Sequence, residues 1–273
     1  MSRVIVITGA SEGIGALLAR RLGAKGDSVV LGARRRDKLD QVAGESGDSA
    51  LAVVTDATKR DEIERLRDAA LDRFGHIDVW VNNAGRGIGI RVMDFAEDDL
   101  DEMLAVNLKS AWYGMKAAIP HFQSRGRGHV INISSVLGLI PGPYMASYVA
   151  TKHAIEGYSE SLDHEVREHG VRVLLVEPAY TKTGFDANAL QPDAPLTVYA
   201  EQRQVFDGVM ATAMAAGDDP ATVAKAIVAA AIDPKPKLRY TAGSTARRVS
   251  TLRRFVPARA FDRQIRKLNH LPA

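Results

Sequence analysis

The chain has 273 residues, 46% of them hydrophobic and 25% charged, with a formal net charge of +3 and no cysteine. That length and apolar content permit one large domain with a substantial core. The composition excludes disulfides, thiolate chemistry and cysteine metal sites, gives no sign of nucleic-acid binding, and contains no run of about 18 apolar residues to span a membrane.

The first strand is expected at Val4-Ile5-Val6-Ile7, a β-branched run of the kind that parallel sheets bury. It begins so early that no signal peptide is expected, which together with the lack of cysteine points to the cytoplasm. Next come Thr8-Gly9-Ala10-Ser11-Glu12-Gly13-Ile14-Gly15 and then a stretch at helical spacing from Ala16 to Leu22. Strand, glycine turn and helix together are the context of a dinucleotide site. Glycines let the backbone approach a pyrophosphate, and the helix N-terminus offers N–H groups and partial positive charge. The spacing is G-x-x-x-G-x-G rather than G-x-G-x-x-G.

Further strands are expected at 28–33, 51–54, 78–82, 129–134 and 171–176, with helices between them, the longest at 98–124 and 146–169. The alternation predicts a doubly wound α/β sheet of Rossmann type, order 3-2-1-4-5-6, with a short seventh strand at 237–241 and helices on both faces. The second strand ends in Ala33-Arg34-Arg35, where an acidic residue would bind the free ribose 2′-hydroxyl of NAD. Arginine instead offers planar donors suited to a 2′-phosphate, with Ser11 adding a hydroxyl, so the cofactor is read as NADP(H).

Tyr148 and Lys152 are four apart, hence on one helix face. A phenol titrates near pH ~10, and a neighbouring ammonium lowers that value toward the range of a useful acid–base catalyst. Ser135 ends the fifth strand, on the edge where α/β sheets place their sites, and its hydroxyl can donate to a carbonyl. Asn107 falls in the long helix, where a buried amide would hold a water chain leading to Lys152. Val136, Leu137, Leu139, Ile140, Pro141, Pro143, Tyr144 and Met145, with Tyr180 and Phe185, suggest an apolar pocket wall. Arg86 and Arg91 are expected to be solvated.

On these residues the chain resembles the short-chain dehydrogenase/reductase superfamily, in its single-domain branch, from about residue 3 to about 243. The family's T-G-x-x-x-G-I-G is Thr8 to Gly15, its N-N-A-G is Asn82-Asn83-Ala84-Gly85, and its Y-x-x-x-K is Tyr148 to Lys152. The resemblance implies Tyr148 as proton donor in reduction, Ser135 positioning the carbonyl, Lys152 on the ribose and tuning Tyr148, and Asn107 supporting a proton relay. It places the cofactor against Gly9, Ser11, Glu12, Gly13, Ile14, Gly15, Arg34, Arg35, Asp56, Ala57, Asn83, Ala84, Gly85, Pro178, Thr181 and Thr183. Ser135, Leu137, Tyr144, Tyr148, Tyr180 and Phe185 are expected to meet the substrate. Two departures stand out. Ala179 replaces the glycine of the family's P-G-x-x-x-T, with Tyr180 beside it, and Glu12 takes a slot where some members carry a base.

The domain reading is one unit over 1–243, with 184–217 covering the substrate, and a basic extension over 244–273. From 245 onward there are eight Lys or Arg against Asp262 alone. Val249, Leu252, Phe255 and Val256 form one stripe; Pro257 breaks it; Phe261, Ile265 and Leu268 continue. Packing on the body is favoured over lying on an anionic membrane. The expected activity is NADP(H)-dependent interconversion of an apolar ketone or aldehyde with its alcohol, by a homo-oligomer that uses no metal. A non-catalytic nucleotide-binding regulator is disfavoured by the intact tetrad. An isomerase of the same fold is disfavoured by the glycine spacing and the apolar pocket.

Overall fold

The computed structural model of the chain describes residues 2–87, 96–183 and 196–271. These form one parallel sheet of seven strands: β1 (Val4–Thr8), β2 (Ser28–Ala33), β3 (Ala50–Val54), β4 (Val79–Asn82), β5 (Gly128–Ile133), β6 (Val171–Pro178) and β7 (Arg239–Ala242). Their order is β3-β2-β1-β4-β5-β6-β7. The helices are α1 (Gly13–Gly23), α2 (Arg36–Ser46), α3 (Arg60–Phe74), α4 (Glu97–Leu104), α5 (Ser110–Arg125), α6 (Ala146–Val166), α7 (Ala200–Ala215), α8 (Pro220–Ile232), α9 (Ser244–Phe255) and α10 (Ala258–Leu268).

The unbroken apolar run of β1 follows from burial on both faces of the sheet. Successive side chains alternate between two cores. Ile5 and Ile7 pack with Leu18, Leu22, Leu39 and Ile227 from α1, α2 and α8. Val4 and Val6 pack with Ile63, Leu66, Phe122 and Ile155 from α3, α5 and α6. β1 pairs with β2 on one side and β4 on the other, and the chain's order reverses between them. A crevice opens at that switch point, outside the carboxyl ends of the strands.

The expected helix at 98–124 is observed as Glu97 to Arg125 with one change. Ala105–Lys109 winds as a wider π-helical turn between α4 and α5, and the buried Asn107 lies in it. β7 starts two residues later than expected. α8 begins as anticipated, with Asp219 Oδ1 capping the N–H of Ala221 at 2.7 Å and Pro220 in the first turn.

The tail forms two helices that turn at Pro257 and pack on the body. Val249, Phe261 and Ile265 join a third core containing Met103, Val136, Leu137, Met145, Tyr148 and Phe206. Arg253 Nε donates to the carbonyl of Leu139 at 3.1 Å, and its guanidinium lies 5.4 Å from the centre of the Phe261 ring. The expected single stripe on α9 is corrected: Leu252 is 40% and Phe255 73% exposed. At about 100° per residue, Phe255 points away from the buried Ala246, and Val249 and Arg253 make the inward row. Among the described residues no helix is long and apolar enough to cross a membrane.

Candidate active site

The ends of β1 and β4 are laced together by side chains. Thr8 Oγ1 accepts the N–H groups of Asn83 and Ala84 at 3.1 and 3.2 Å. Asn83 Nδ2 donates to the carbonyls of Thr8 and Gly9, both at 3.1 Å. Gly9 has φ +66°, and a Cβ there would lie 2.9 Å from Ala84 Cα; one on Gly15 would lie 2.5 Å from the Gly9 carbonyl oxygen. Both glycines are needed for this tight approach. Gly13, at φ +57°, has only Thr183 nearby, at 3.7 Å, across an open crevice. The first turn of α1 therefore points N–H groups that have no helical acceptor into that crevice. Glu12 stands at the N-cap without capping; its carboxylate pairs instead with Arg35 at 2.8 Å, and Lys38 is 3.7 Å away. Arg35 also donates to Ser11 Oγ at 3.0 Å. Asp56 accepts from the N–H and hydroxyl of Thr58, at 3.0 and 2.7 Å. Burial opposes its charge, but those bonds and nearby Arg34 hold its carboxyl below the ordinary range.

The other end of the crevice gathers the tetrad. Tyr148 and Lys152 are buried on one face of α6, 7% and 6% exposed, and the Lys152 ammonium lies 5.6 Å from the centre of the Tyr148 ring. Lys152 Nζ donates to the Ile133 carbonyl at 2.8 Å, which fixes it against the end of β5. Burial lowers its pKa to about 8, opposed by Glu156 one turn along the helix. Ser135 Oγ accepts the N–H of Leu137 at 3.1 Å, which orients the hydroxyl and leaves its proton for another acceptor. Asn107 is drawn elsewhere than Lys152. Its Oδ1 accepts the N–H of Arg86 at 2.8 Å, and its Nδ2 donates to the Arg86 carbonyl at 2.9 Å and to Thr151 Oγ1 at 3.3 Å. The amide thus braces the segment after β4 against α6.

One cleft of about 700 Å³ connects both ends. Its lining includes Gly9, Ser11 to Ile14, Arg34, Arg35, Asp56, Ala57, Asn83 to Gly85, Ser135, Leu137, Tyr148, Lys152, Pro178, Tyr180, Thr181 and Thr183. Gly15 lies beneath the turn. Tyr144 packs on Phe206 of α7 with ring centroids 5.1 Å apart. Phe185 and Arg91 lie outside the described residues. Reasoning from sequence missed Met210 and Met214 of α7, which enter the cleft four residues apart on one helix face. Their spacing was the available signal, in a segment already read as a cover. Glu177 was also missed, although a lone acid in Val-Leu-Leu-Val-Glu-Pro was visible.

The sequence profile of the short chain dehydrogenase family matches residues 3–194. The chain belongs to the short-chain dehydrogenase family. D-beta-hydroxybutyrate dehydrogenase of Rhizobium meliloti (strain 1021) is 37% identical over 215 residues, 77% of this chain and 83% of that one. A short-chain dehydrogenase from Streptomyces avermitilis has a TM-score of 0.84 at 32% identity, covering 99% of this chain and 98% of that one, so the likeness runs through the C-terminal helices. A short chain dehydrogenase/reductase from Burkholderia phymatum, in complex with NAD, has a TM-score of 0.81 at 26% identity, covering 96% of this chain and 95% of that one. Other similar solved structures hold NADH or an NADP derivative. The residues of this dehydrogenase fit such a group. The open side of Gly13 and the start of α1 suit a pyrophosphate, and Arg34 and Arg35 line the same cleft.

Proposed function

We propose that this short-chain dehydrogenase is an NADP(H)-dependent oxidoreductase that interconverts an apolar ketone or aldehyde with its alcohol, with Tyr148 as the proton donor and acceptor. The observation that carries it is the burial of Tyr148 and Lys152 on one face of α6 beside Ser135, in the same cleft as the glycine turn. A bound nicotinamide would supply or accept the hydride. Ser135 donates to the substrate oxygen, and Tyr148 transfers a proton to it. The ammonium of Lys152 favours the phenolate and thereby narrows the gap between a phenol and neutral pH. Arg34 and Arg35 would hold the 2′-phosphate, since Ala33 offers no acceptor to a free 2′-hydroxyl. Leu137, Val136, Met145, Met210 and Met214 favour an apolar substrate, with Tyr180 at the nicotinamide side. We take residues 1–243 as the catalytic unit and 244–273 as an extension of it, acting as a homo-oligomer in the cytoplasm.

A screen of ketones and aldehydes against NADPH and NADH, followed by absorbance, tests the reading. Tyr148→Phe loses only a hydroxyl, so turnover should fall by a factor of ~10³ or more while cofactor affinity stays within about twofold. Near-normal rates in that variant would overturn the proton assignment. The Rhizobium relative is named for a hydroxy acid, so the panel should include a 3-keto acid. A clear preference for it, or for NADH, would replace the substrate or cofactor part of the reading.

A further inference from the structure

The helix that carries Tyr148 and Lys152 also carries a carboxyl that the reaction above leaves unused. Glu156 follows Lys152 by one helical turn and is 4% exposed. Beside it, near the end of β6, stands Glu177, which is 0% exposed. One guanidinium serves both. Arg239 of β7 donates from Nε to Glu156 Oε2 at 3.0 Å, and the same Nε is 3.4 Å from Glu177 Oε1. Its Nη2 turns outward to Glu160 Oε2 at 2.9 Å. Among the described residues neither oxygen of Glu177 accepts a hydrogen bond. The cluster lies directly under the turn that follows Ser135. A Cβ on Gly138 would sit 2.8 Å from Ser134 Oγ, 2.9 Å from Glu156 Cγ and 3.0 Å from the Lys152 carbonyl oxygen.

Two buried carboxylates against one guanidinium nitrogen are not both ionised without a large penalty. The contacts decide which keeps the charge. Glu156 has the hydrogen bond from Arg239 and the ammonium of Lys152 one turn away. Glu177 has a longer ion-pair distance and no hydrogen bond. We propose that Glu156 is a positioning residue for Lys152: its carboxylate, kept as the single negative charge of the pair by a proton resting on Glu177, holds the Lys152 ammonium charged where the ribose and Tyr148 meet it. This rests on the functional reading above for the role of Lys152.

The electrostatics run the same way. Burial, then the Glu156 charge, push Glu177 up to about 7, with Arg239 opposing. Burial raises Glu156 as well, opposed in part by Ser134, Arg239 and Lys152. The other groups facing the cluster are Glu160, which Arg239 holds low, and His164 beyond it.

The test is the pH dependence of NADPH affinity, read by fluorescence from pH 6 to 10, in wild type, Glu156→Gln and Glu177→Gln. Glu156→Gln should move the alkaline midpoint of binding to lower pH by about half a unit or more, roughly a threefold loss of affinity near that midpoint. Glu156 is the carboxylate that acts on Lys152, so Glu177→Gln should leave the midpoint in place. Equal shifts in both variants, or a shift in neither, would overturn the proposal. Two readouts on the cofactor-free protein stand apart from the functional reading. The infrared band of a protonated carboxyl should be present in wild type at pH 6 and missing in Glu177→Gln; its absence from wild type refutes the proposal even if Glu156→Gln does not fold. The folded state also holds the Glu177 proton more tightly than the unfolded chain between pH ~4.5 and ~7, so wild-type stability should fall as pH rises through that window. Glu177→Gln should not show that fall, and an identical pH dependence would count against us. Failure to bind NADPH at all would sink the functional reading and leave these two measurements in force.

Discussion

Glu12 bears on the proposed preference for NADP(H). A 2′-phosphate reaching Arg35 meets a guanidinium already held by the Glu12 carboxylate at 2.8 Å and by Ser11 at 3.0 Å. Both partners of the pair are about two-fifths exposed, so solvent weakens it to ~1 kcal/mol or less. Glu12→Gln should therefore strengthen NADPH binding about two- to fivefold and leave NADH nearly unchanged. Fluorescence titration with both cofactors checks this, and equal gains for both would show that the carboxylate does not compete with the phosphate. Tyr148, Lys152, Ser135 and the glycines were readable because each is short-range: a spacing on one helix, or a turn after one strand. The Glu12–Arg35 pair joins two segments that the sequence separates, so only the slot of Glu12 was noticed and not its partner.

At the scale of elements, the carboxylate of Asp163 ties α6 to β6. Asp163 is fully buried and accepts from the Val173 N–H at 2.9 Å, from Arg172 at 2.8 and 3.1 Å, and from Arg167. Burial works against its charge, but the bonds from Arg172 and Val173 outweigh it and hold the carboxyl below the usual range. Its folded value thus lies under its unfolded one. Its stabilisation is complete above the unfolded pKa, near ~3.9, and is lost as pH falls through the lower folded value. Asp163→Ala should cost about 3–5 kcal/mol at neutral pH, since two arginines lose their partner, with a smaller cost in strong acid. Denaturant melts at both pH values measure this. A second test lies on α5. A Cβ on Gly114 would come within 2.1 Å of Asn82 Oδ1 and 2.4 Å of Trp80 Nε1, which bond each other at 2.8 Å. Gly114→Ala should destabilise by about 1–3 kcal/mol, seen as a lower melting temperature, although alanine is the better helix former. Sequence periodicity found β1 to β6 to within a residue or two, because strands buried on both faces read as apolar runs between turns. It did not find the π-helical turn at Asn107. Asn107 within that turn bonds Arg86 and Thr151, which are distant in the chain, so those partners carry no local signal.

At the scale of the molecule, the extension belongs to the body. Its inward row joins the core that contains Leu137 and Tyr148. Deleting 244–273 should lower the melting temperature by several degrees and broaden the range of accepted substrates, as the pocket's outer support is removed. Unchanged melting and unchanged selectivity would mean that the contact is incidental. The preference for packing over a membrane surface was legible from the sharp bend at Pro257. Which residues face inward was not, because Leu252 and Phe255 look as apolar as Val249 and only the helix phase separates them.

The turn at Val136–Gly138 touches the cleft through Leu137, the tail through the shared core, and the acidic cluster through Gly138. Occupancy of the cleft therefore has an outward signal. Whatever stiffens Leu137 and Tyr148 should therefore also hold α9 and α10 more firmly to the body, by simple linkage. Arg247, Arg248 and Arg254 are exposed on α9, so trypsin cleavage there should report how readily the helix opens. A ligand that fills the pocket should slow cleavage there in proportion to its affinity, giving a way to rank unknown substrates without any turnover.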